Sequence, residues 1–149
     1  MIVGFTGTQD GMTTQQKQWL NTYLAYFKCD ELRHGDCQGS DAQAHEAALD
    51  IAAKIVIHPP NHASKRAFCD KKTFDGVQIT VMPQKWYIDR NHDIVDACEV
   101  LIATPKEYEE KVRSGTWATI RYAKKTKKQL IITHPDGTSK SYNIKNKQA

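Results

Sequence analysis

The chain has 149 residues, a formal net charge of +4 at pH 7, and 40% hydrophobic and 26% charged residues. That length fits one domain with a real core and leaves no room for a second of ordinary size. The composition is that of a soluble globular protein, and no apolar run approaches the ~20 residues that cross a bilayer, which excludes a membrane-spanning helix.

Met1-Ile2-Val3-Gly4-Phe5 lacks the basic start and long apolar stretch of a secretion signal. It reads as a first strand over 1–5, and the protein is expected in the cytoplasm. A helical pattern over 13–27 follows, then a strand over 31–34, a helix over 40–52 and a strand over 54–57. The stretch over 58–76 is long, polar and poorly periodic, and reads as a mobile insert or lid. An extra strand over 77–81 precedes a helix over 86–97, a buried strand over 100–103, a helix over 116–125 and a strand over 130–133. Asp136-Gly137 marks a turn, so residues 134–149 form an edge hairpin or tail. Short apolar strands separated by helices predict an α/β fold: a single-domain, Rossmann-like three-layer sandwich with a mainly parallel sheet. In such sheets ligands bind outside the carboxyl ends of the strands.

Two glycine-bearing stretches stand at that edge, Gly35-Asp36-Cys37-Gln38-Gly39-Ser40-Asp41 and Ser114-Gly115-Thr116-Trp117. Each leads into a helix, whose unpaired N–H groups and dipole attract anions, although Ser and Asp at a helix start are also ordinary caps. Together they predict a phosphorylated, nucleotide-like ligand. After the first strand, Thr6, Gly7 and Thr8 are candidates to line its base or sugar, against a plain helix cap at Thr13 or Thr14. This is not the GxGxxG fingerprint, and no acid follows the next strand, so dinucleotide cofactor binding of that type is disfavoured. Asp41 and His45 share one helical face and are candidates to position a ligand hydroxyl; the alternative is a capping Asp and a packed His. Arg90 and Asn91 stand out because an arginine near a helix start opposes the dipole, which calls for a partner: a ligand phosphate, or an acid such as Asp89 or Asp93. Thr104, at the end of a buried strand, completes the ligand-binding candidates.

From Arg121 onward there are eight Lys or Arg and only Asp136 as an acid. Lys124, Lys125, Lys127 and Lys128 fall at a helix end, where cations complement the dipole, and no aromatics interleave with them as single-strand stacking requires. Nucleic acid is therefore the less favoured partner. Cys29, Cys37, Cys69 and Cys98 form no CxxC pair, so neither a disulfide nor a metal is expected.

In order and spacing, these motifs resemble the Rossmann-like superfamily that includes the DNA-processing protein DprA, the LOG phosphoribohydrolases and the SLOG nucleotide-sensing domains. Gly39-Ser40-Asp41-Ala42-Gln43-Ala44-His45, Arg90-Asn91 with Ile94-Val95, and Ser114-Gly115-Thr116 with Ala123 carry the likeness. It implies a pocket for a nucleotide or nucleotide-derived signal. LOG enzymes carry Pro-Gly-Gly-x-Gly-Thr-x-x-Glu, whose glutamate serves cleavage of the N-glycosidic bond, and here Thr119 stands in its place. Such cleavage needs a carboxylate, and Asp10 and Asp41 are the candidates for a catalytic one. The expectation is thus a binder that senses or sequesters a nucleotide-derived ligand, such as a cyclic nucleotide or ADP-ribose-type signal, by analogy with a phage protein that removes an immune signal. N-glycosidase action on a nucleoside monophosphate and single-stranded nucleic-acid binding are the alternatives. No cofactor is expected, and strand edges suit a homo-oligomer.

Overall fold

The computed structural model describes residues 1–145; the last four residues of the expected edge hairpin or tail lie outside the described residues. In chain order the elements are β1 (Ile2–Gly7), α1 (Thr14–Tyr26), β2 (Glu31–His34), α2 (Ser40–Leu49), β3 (Lys54–Ile57), β4 (Gln78–Val81), α3 (Tyr87–Ala97), β5 (Val100–Thr104), α4 (Gly115–Lys125), β6 (Gln129–Thr133) and β7 (Ser139–Tyr142). The strands form one sheet in the order β4-β3-β2-β1-β5-β6-β7. All neighbours run parallel except β6 and β7, whose antiparallel pairing is the expected edge hairpin.

The side-chain period of two divides the central strands between two cores. Val3, Phe5, Leu32, Ile55, Ile57 and Ile102 point toward α1 and α2, whereas Leu101, Ala103, Leu130 and Ile132 point toward α3 and α4. Strands β5 and β6 are buried along their whole length, as parallel strands covered on both faces must be. The result is the expected three-layer, Rossmann-like sandwich. One boundary differs: β1 runs on through Gly7 because Thr6 and Gly7 continue the ladder opposite Ala103 and Thr104. Those two candidates are therefore strand residues rather than loop residues. Among the described residues no helix is long and apolar enough to cross a membrane.

Polar side chains fix the loops at the carboxyl edge. Thr13 accepts a hydrogen bond from the Gln16 N–H at 3.1 Å and the Gln16 side chain accepts one from the Thr13 N–H at 3.0 Å, a reciprocal cap for α1. The same buried Gln16 donates from Nε2 to the carbonyls of Pro105 and Thr133, joining the first turn of α1 to the ends of β5 and β6. The stretch after β3 contains two short 3-10 turns, Ala63–Lys65 and Cys69–Lys71. Asp36, fully buried at the end of β2, anchors it: one carboxylate oxygen pairs with Arg66 at 2.9 Å and the other accepts the Cys69 N–H at 2.9 Å.

Gly39, the residue before α2, has φ +83°, and a methyl group there would overlap the carbonyl of Gln9. Because both the conformation and the space exclude a side chain, Gly39→Ala is expected to lower stability by about 2 kcal/mol or more. Urea denaturation should register this as a fall in midpoint.

Candidate functional site

Strand order departs from β1 in both directions, toward β2 on one side and β5 on the other, so the loops leaving these strands diverge and open a crevice. The crevice is a cleft of about 960 Å³. Its lining comes from Thr6, Gly7, Thr8 and Asp10 of β1 and its loop, Gly35, Cys37 and Asp41 after β2, and Tyr87, Arg90, Asn91 and Ile94 of α3. The stretch after β3 adds Pro60, His62, Ser64 and Lys65; the loop after β5 adds Lys106, Glu107, Lys111, Val112 and Arg113; α4 adds Ser114, Gly115 and Thr116.

Arg90 and Asp41 are the buried charged groups of this cleft, each only 6% exposed. The Arg90 guanidinium donates to the carbonyls of Gly35 and His58, and lies against the Cys37 sulfur. Its neighbours on the helix do not take it up: Asp93 pairs with Lys85 at 2.6 Å instead. Asp41 accepts the Cys37 N–H through Oδ2 at 3.1 Å. Among the described residues, Asp41 Oδ1 and Arg90 Nε are both buried without a partner. Burial pushes the Asp41 carboxyl up to about 6, against the opposing pull of the Arg90 charge and the Cys37 N–H. Gly35 lies between the two, where a methyl group would meet the guanidinium and stand 3.1 Å from Asp41 Oδ2. A side chain there would displace the Arg90 guanidinium.

The start of α4 supplies the second polar feature. Ser114 caps it by accepting the Trp117 N–H at 3.2 Å, and nothing lies within 4 Å of where a Gly115 side chain would begin. The first N–H groups of an 11-residue helix therefore open on the cleft. Thr119, in the position of the LOG glutamate, is 2% exposed, and its hydroxyl donates back to the Gly115 carbonyl at 2.9 Å.

Other candidates sit behind the cleft or at its mouth. The Ser40 N–H donates to the Thr8 carbonyl at 3.0 Å and Gly39 abuts Gln9, so the start of α2 is sealed by the β1 loop rather than open to a ligand. Ser40 and Thr104 pack against Gly7, where an added methyl would lie 2.5 Å from Ser40 Cβ and 2.6 Å from Thr104 Oγ1. Asp36 anchors the stretch after β3. Trp117 is buried, with its indole N–H donated to Glu107 at 3.0 Å. Asp10, at the cleft mouth, pairs with Lys106 at 2.9 Å across the loops after β1 and β5.

His34, His45 and Cys69 bring metal-ligating atoms within 4.8 Å of one another in the core. Their hydrogen bonds favour a different role. The Asp36 N–H donates to His34 Nδ1 at 2.9 Å, which leaves Nε2–H to donate to His45 Nδ1 at 2.9 Å. His45 Nε2–H then donates to the Lys72 carbonyl at 2.7 Å. A ligating histidine turns its second N–H toward an acceptor, whereas the second nitrogen of His34 faces a donor. The two histidines thus form a hydrogen-bond chain that ties β2 and α2 to the stretch after β3. Burial, and secondarily His45, hold the His34 pKa well below its usual value.

Lys124, Lys125, Lys127 and Lys128 lie at the other end of α4 from the cleft, ~16 Å along an 11-residue helix. Lys124 sits over the Tyr142 ring at 4.6 Å and Lys128 donates to the Cys98 carbonyl at 2.5 Å.

No protein-family model and no curated protein matches the sequence. The fold, in contrast, is Rossmann-like and has similar solved structures. The chain is similar to DNA processing protein A from Helicobacter pylori, whose structure describes a single-stranded DNA binding mode, at 20% identity and a TM-score of 0.63, covering 89% of this chain and 64% of that one. It is similar to DprA from Streptococcus pneumoniae at 20% identity and a TM-score of 0.64, over 87% of this chain and 49% of that one. It is also similar to the Moco carrier protein from Chlamydomonas reinhardtii, at 20% identity and 0.59, over 88% and 74%. The chain thus spans about half to two thirds of the length of the DprA proteins.

Reading only the helix starts misses Tyr87, His62, Lys65 and the run Lys111-Val112-Arg113. For His62, Lys65 and Lys111-Val112-Arg113 the sequence did carry a signal, since they occupy the loops that follow the carboxyl ends of β3 and β5.

An acid held protonated by burial destabilises the fold once it must ionise. The folded state keeps its Asp41 proton up to about pH 6, while an unfolded Asp releases it near 3.8. Stability therefore falls as pH rises through that window, and the full penalty applies above it. Asp41→Asn, which can still accept the Cys37 N–H, is expected to gain up to about 3 kcal/mol over wild type at pH 8 and nothing below pH 4. Urea unfolding at the two pH values measures the difference.

Proposed function

We propose that the cleft binds a nucleotide-derived small molecule, placing a phosphate at the start of α4, and that the protein senses or sequesters this ligand rather than cleaving it. The observation that carries the reading is the pairing of an open helix N-terminus with Arg90 Nε and Asp41 Oδ1, buried donor and acceptor atoms without protein partners, in one cleft. Buried polar groups are normally satisfied; of the six buried side-chain atoms without a partner among the described residues, two, on Asp41 and Arg90, belong to the cleft lining, where a ligand can complete them. The absence of a carboxylate at Thr119 supports capture. The similarity to DprA and the Moco carrier protein fits a site of this kind on this fold, since ligands of such sheets bind at the strand-order switch.

Isothermal titration calorimetry with a panel of nucleoside monophosphates tests the phosphate site. Ser114→Ala also removes a helix cap, so Gly115→Asp is the cleaner variant: space is open there, and a carboxylate in the first turn favours the helix while repelling phosphate. Gly115→Asp should bind at least tenfold more weakly than wild type with an unchanged or higher melting temperature. Arg90→Ala combined with Ser114→Ala should also weaken binding, and unchanged affinity in both variants would remove the assignment.

Asp41 favours one second reading, an N-glycosidase acting on a nucleoside monophosphate. Its carboxyl titrates near 6 inside the cleft, a range suited to proton transfer near neutral pH. Chromatography of nucleotides incubated with the protein separates the two readings. No free base is expected from wild type; base release abolished by Asp41→Asn would make the protein an enzyme.

A further inference from the structure

The start of α3 breaks the usual rules for a helix N-terminus. The capping position holds Trp86, which makes no side-chain cap, where Ser, Thr, Asp or Asn is preferred. Trp86, Tyr87 and Ile88 are consecutive large apolar residues, each 42–47% exposed. Local rules broken together, without a packing gain, mark a functional position. The aromatic group is also held in place. Lys85 pairs with the backbone of Pro59 and Asn61, which fixes the segment beside the end of β3. The Trp86 ring lies 4.7 Å from that of Tyr87, and His62 meets Trp86 edge-on at 5.9 Å. Tyr87, His62 and Pro60 all line the cleft.

Resting on the phosphate reading above, we infer that Tyr87, backed by Trp86 and His62, is a stacking platform for a planar ring, so that the ligand is an intact nucleotide with its base on α3 and its phosphate on α4. Tyr87 stands three residues before Arg90 and shares its helix face. Helices α3 and α4 pack side by side, and neighbouring helix axes lie about 8–10 Å apart, which matches the reach from base to phosphate in one nucleotide. The aromatic shelf thereby separates base-bearing ligands from sugar phosphates that would satisfy α4 alone.

Calorimetry with AMP, GMP, CMP and UMP on one side and ribose 5-phosphate on the other tests this in wild type, Tyr87→Phe and Tyr87→Ala. Wild type and Tyr87→Phe should bind at least one nucleotide on the order of tenfold or more tightly than ribose 5-phosphate, and Tyr87→Ala should lose that preference while keeping its affinity for ribose 5-phosphate. Retention of the preference in Tyr87→Ala, or equal binding of nucleotides and ribose 5-phosphate by wild type, overturns the platform and leaves the phosphate site standing. Failure of wild type to bind any of the five overturns both. Loss of ribose 5-phosphate binding along with the nucleotides in Tyr87→Ala assigns Tyr87 to the shape of the helix start and also overturns the platform.

Discussion

Arg90 holds the site and the fold together through one unusual choice of partner. Its guanidinium is buried, and carbonyl oxygens rather than a carboxylate receive it, those of Gly35 at the end of β2 and His58 at the end of β3. Carbonyl dipoles solvate a buried cation without cancelling its charge. The positive charge therefore remains available at the floor of the cleft, while the three elements that meet there are fixed relative to one another. An ion pair with Asp93 would have held α3 equally well but neutralised the group; Lys85 takes Asp93 instead.

The acids near this floor divide the electrostatic work. Asp36 is fully buried and paired with Arg66, with its second oxygen on the Cys69 N–H, so it is satisfied and serves the fold. Asp41 is nearly as buried but keeps one oxygen unpartnered, and its raised pKa records the strain of that position. Five positions along the chain take an acid that stabilises to one that destabilises at neutral pH. A protein retains such a group where it is needed for something other than stability. The His34–His45 chain belongs with Asp36: each nitrogen has a partner, and the set joins α2 to the stretch after β3.

Much of the architecture was legible from periodicity, because the elements here are short, apolar and separated by strong turn residues. The alternation of strands and helices, the parallel sheet and the final hairpin all follow from patterns of two and 3.6 residues. What the pattern could not reveal is how backbone segments close on one another. Gly39-Ser40 and Ser114-Gly115 look alike in sequence, each a glycine and serine before a helix. The first is sealed because the Thr8 carbonyl accepts the Ser40 N–H and Gln9 fills the space above Gly39, contacts between residues thirty or more positions apart. The second lines the cleft, and nothing stands within 4 Å of where a Gly115 side chain would begin. Arg90 was legible for the reason that an arginine near a helix start lacks a local partner. Tyr87 was not, since an aromatic at a helix start has no periodicity of its own and acquires meaning only from the neighbours that the end of β3 brings to it.

The same geometry bears on turnover. Cleaving a glycosidic bond calls for a carboxylate at the sugar and a phosphate held firmly enough to orient it. In the reading proposed above the start of α4 offers the second of these, but Thr119, one turn inside, donates its hydroxyl to the Gly115 carbonyl and is shut off from the cleft. An acid at position 119 would lie in the same buried place, beside carbonyl oxygens that repel a negative charge, unless the preceding loop also moved. Restoring catalysis of the LOG kind thus takes more than Thr119→Glu alone: the loop over 105–114, with its charged residues and the Glu107–Trp117 contact, would have to be rebuilt around it. That coupling makes the missing acid a property of the whole α4 entrance, consistent with a site shaped for holding its ligand.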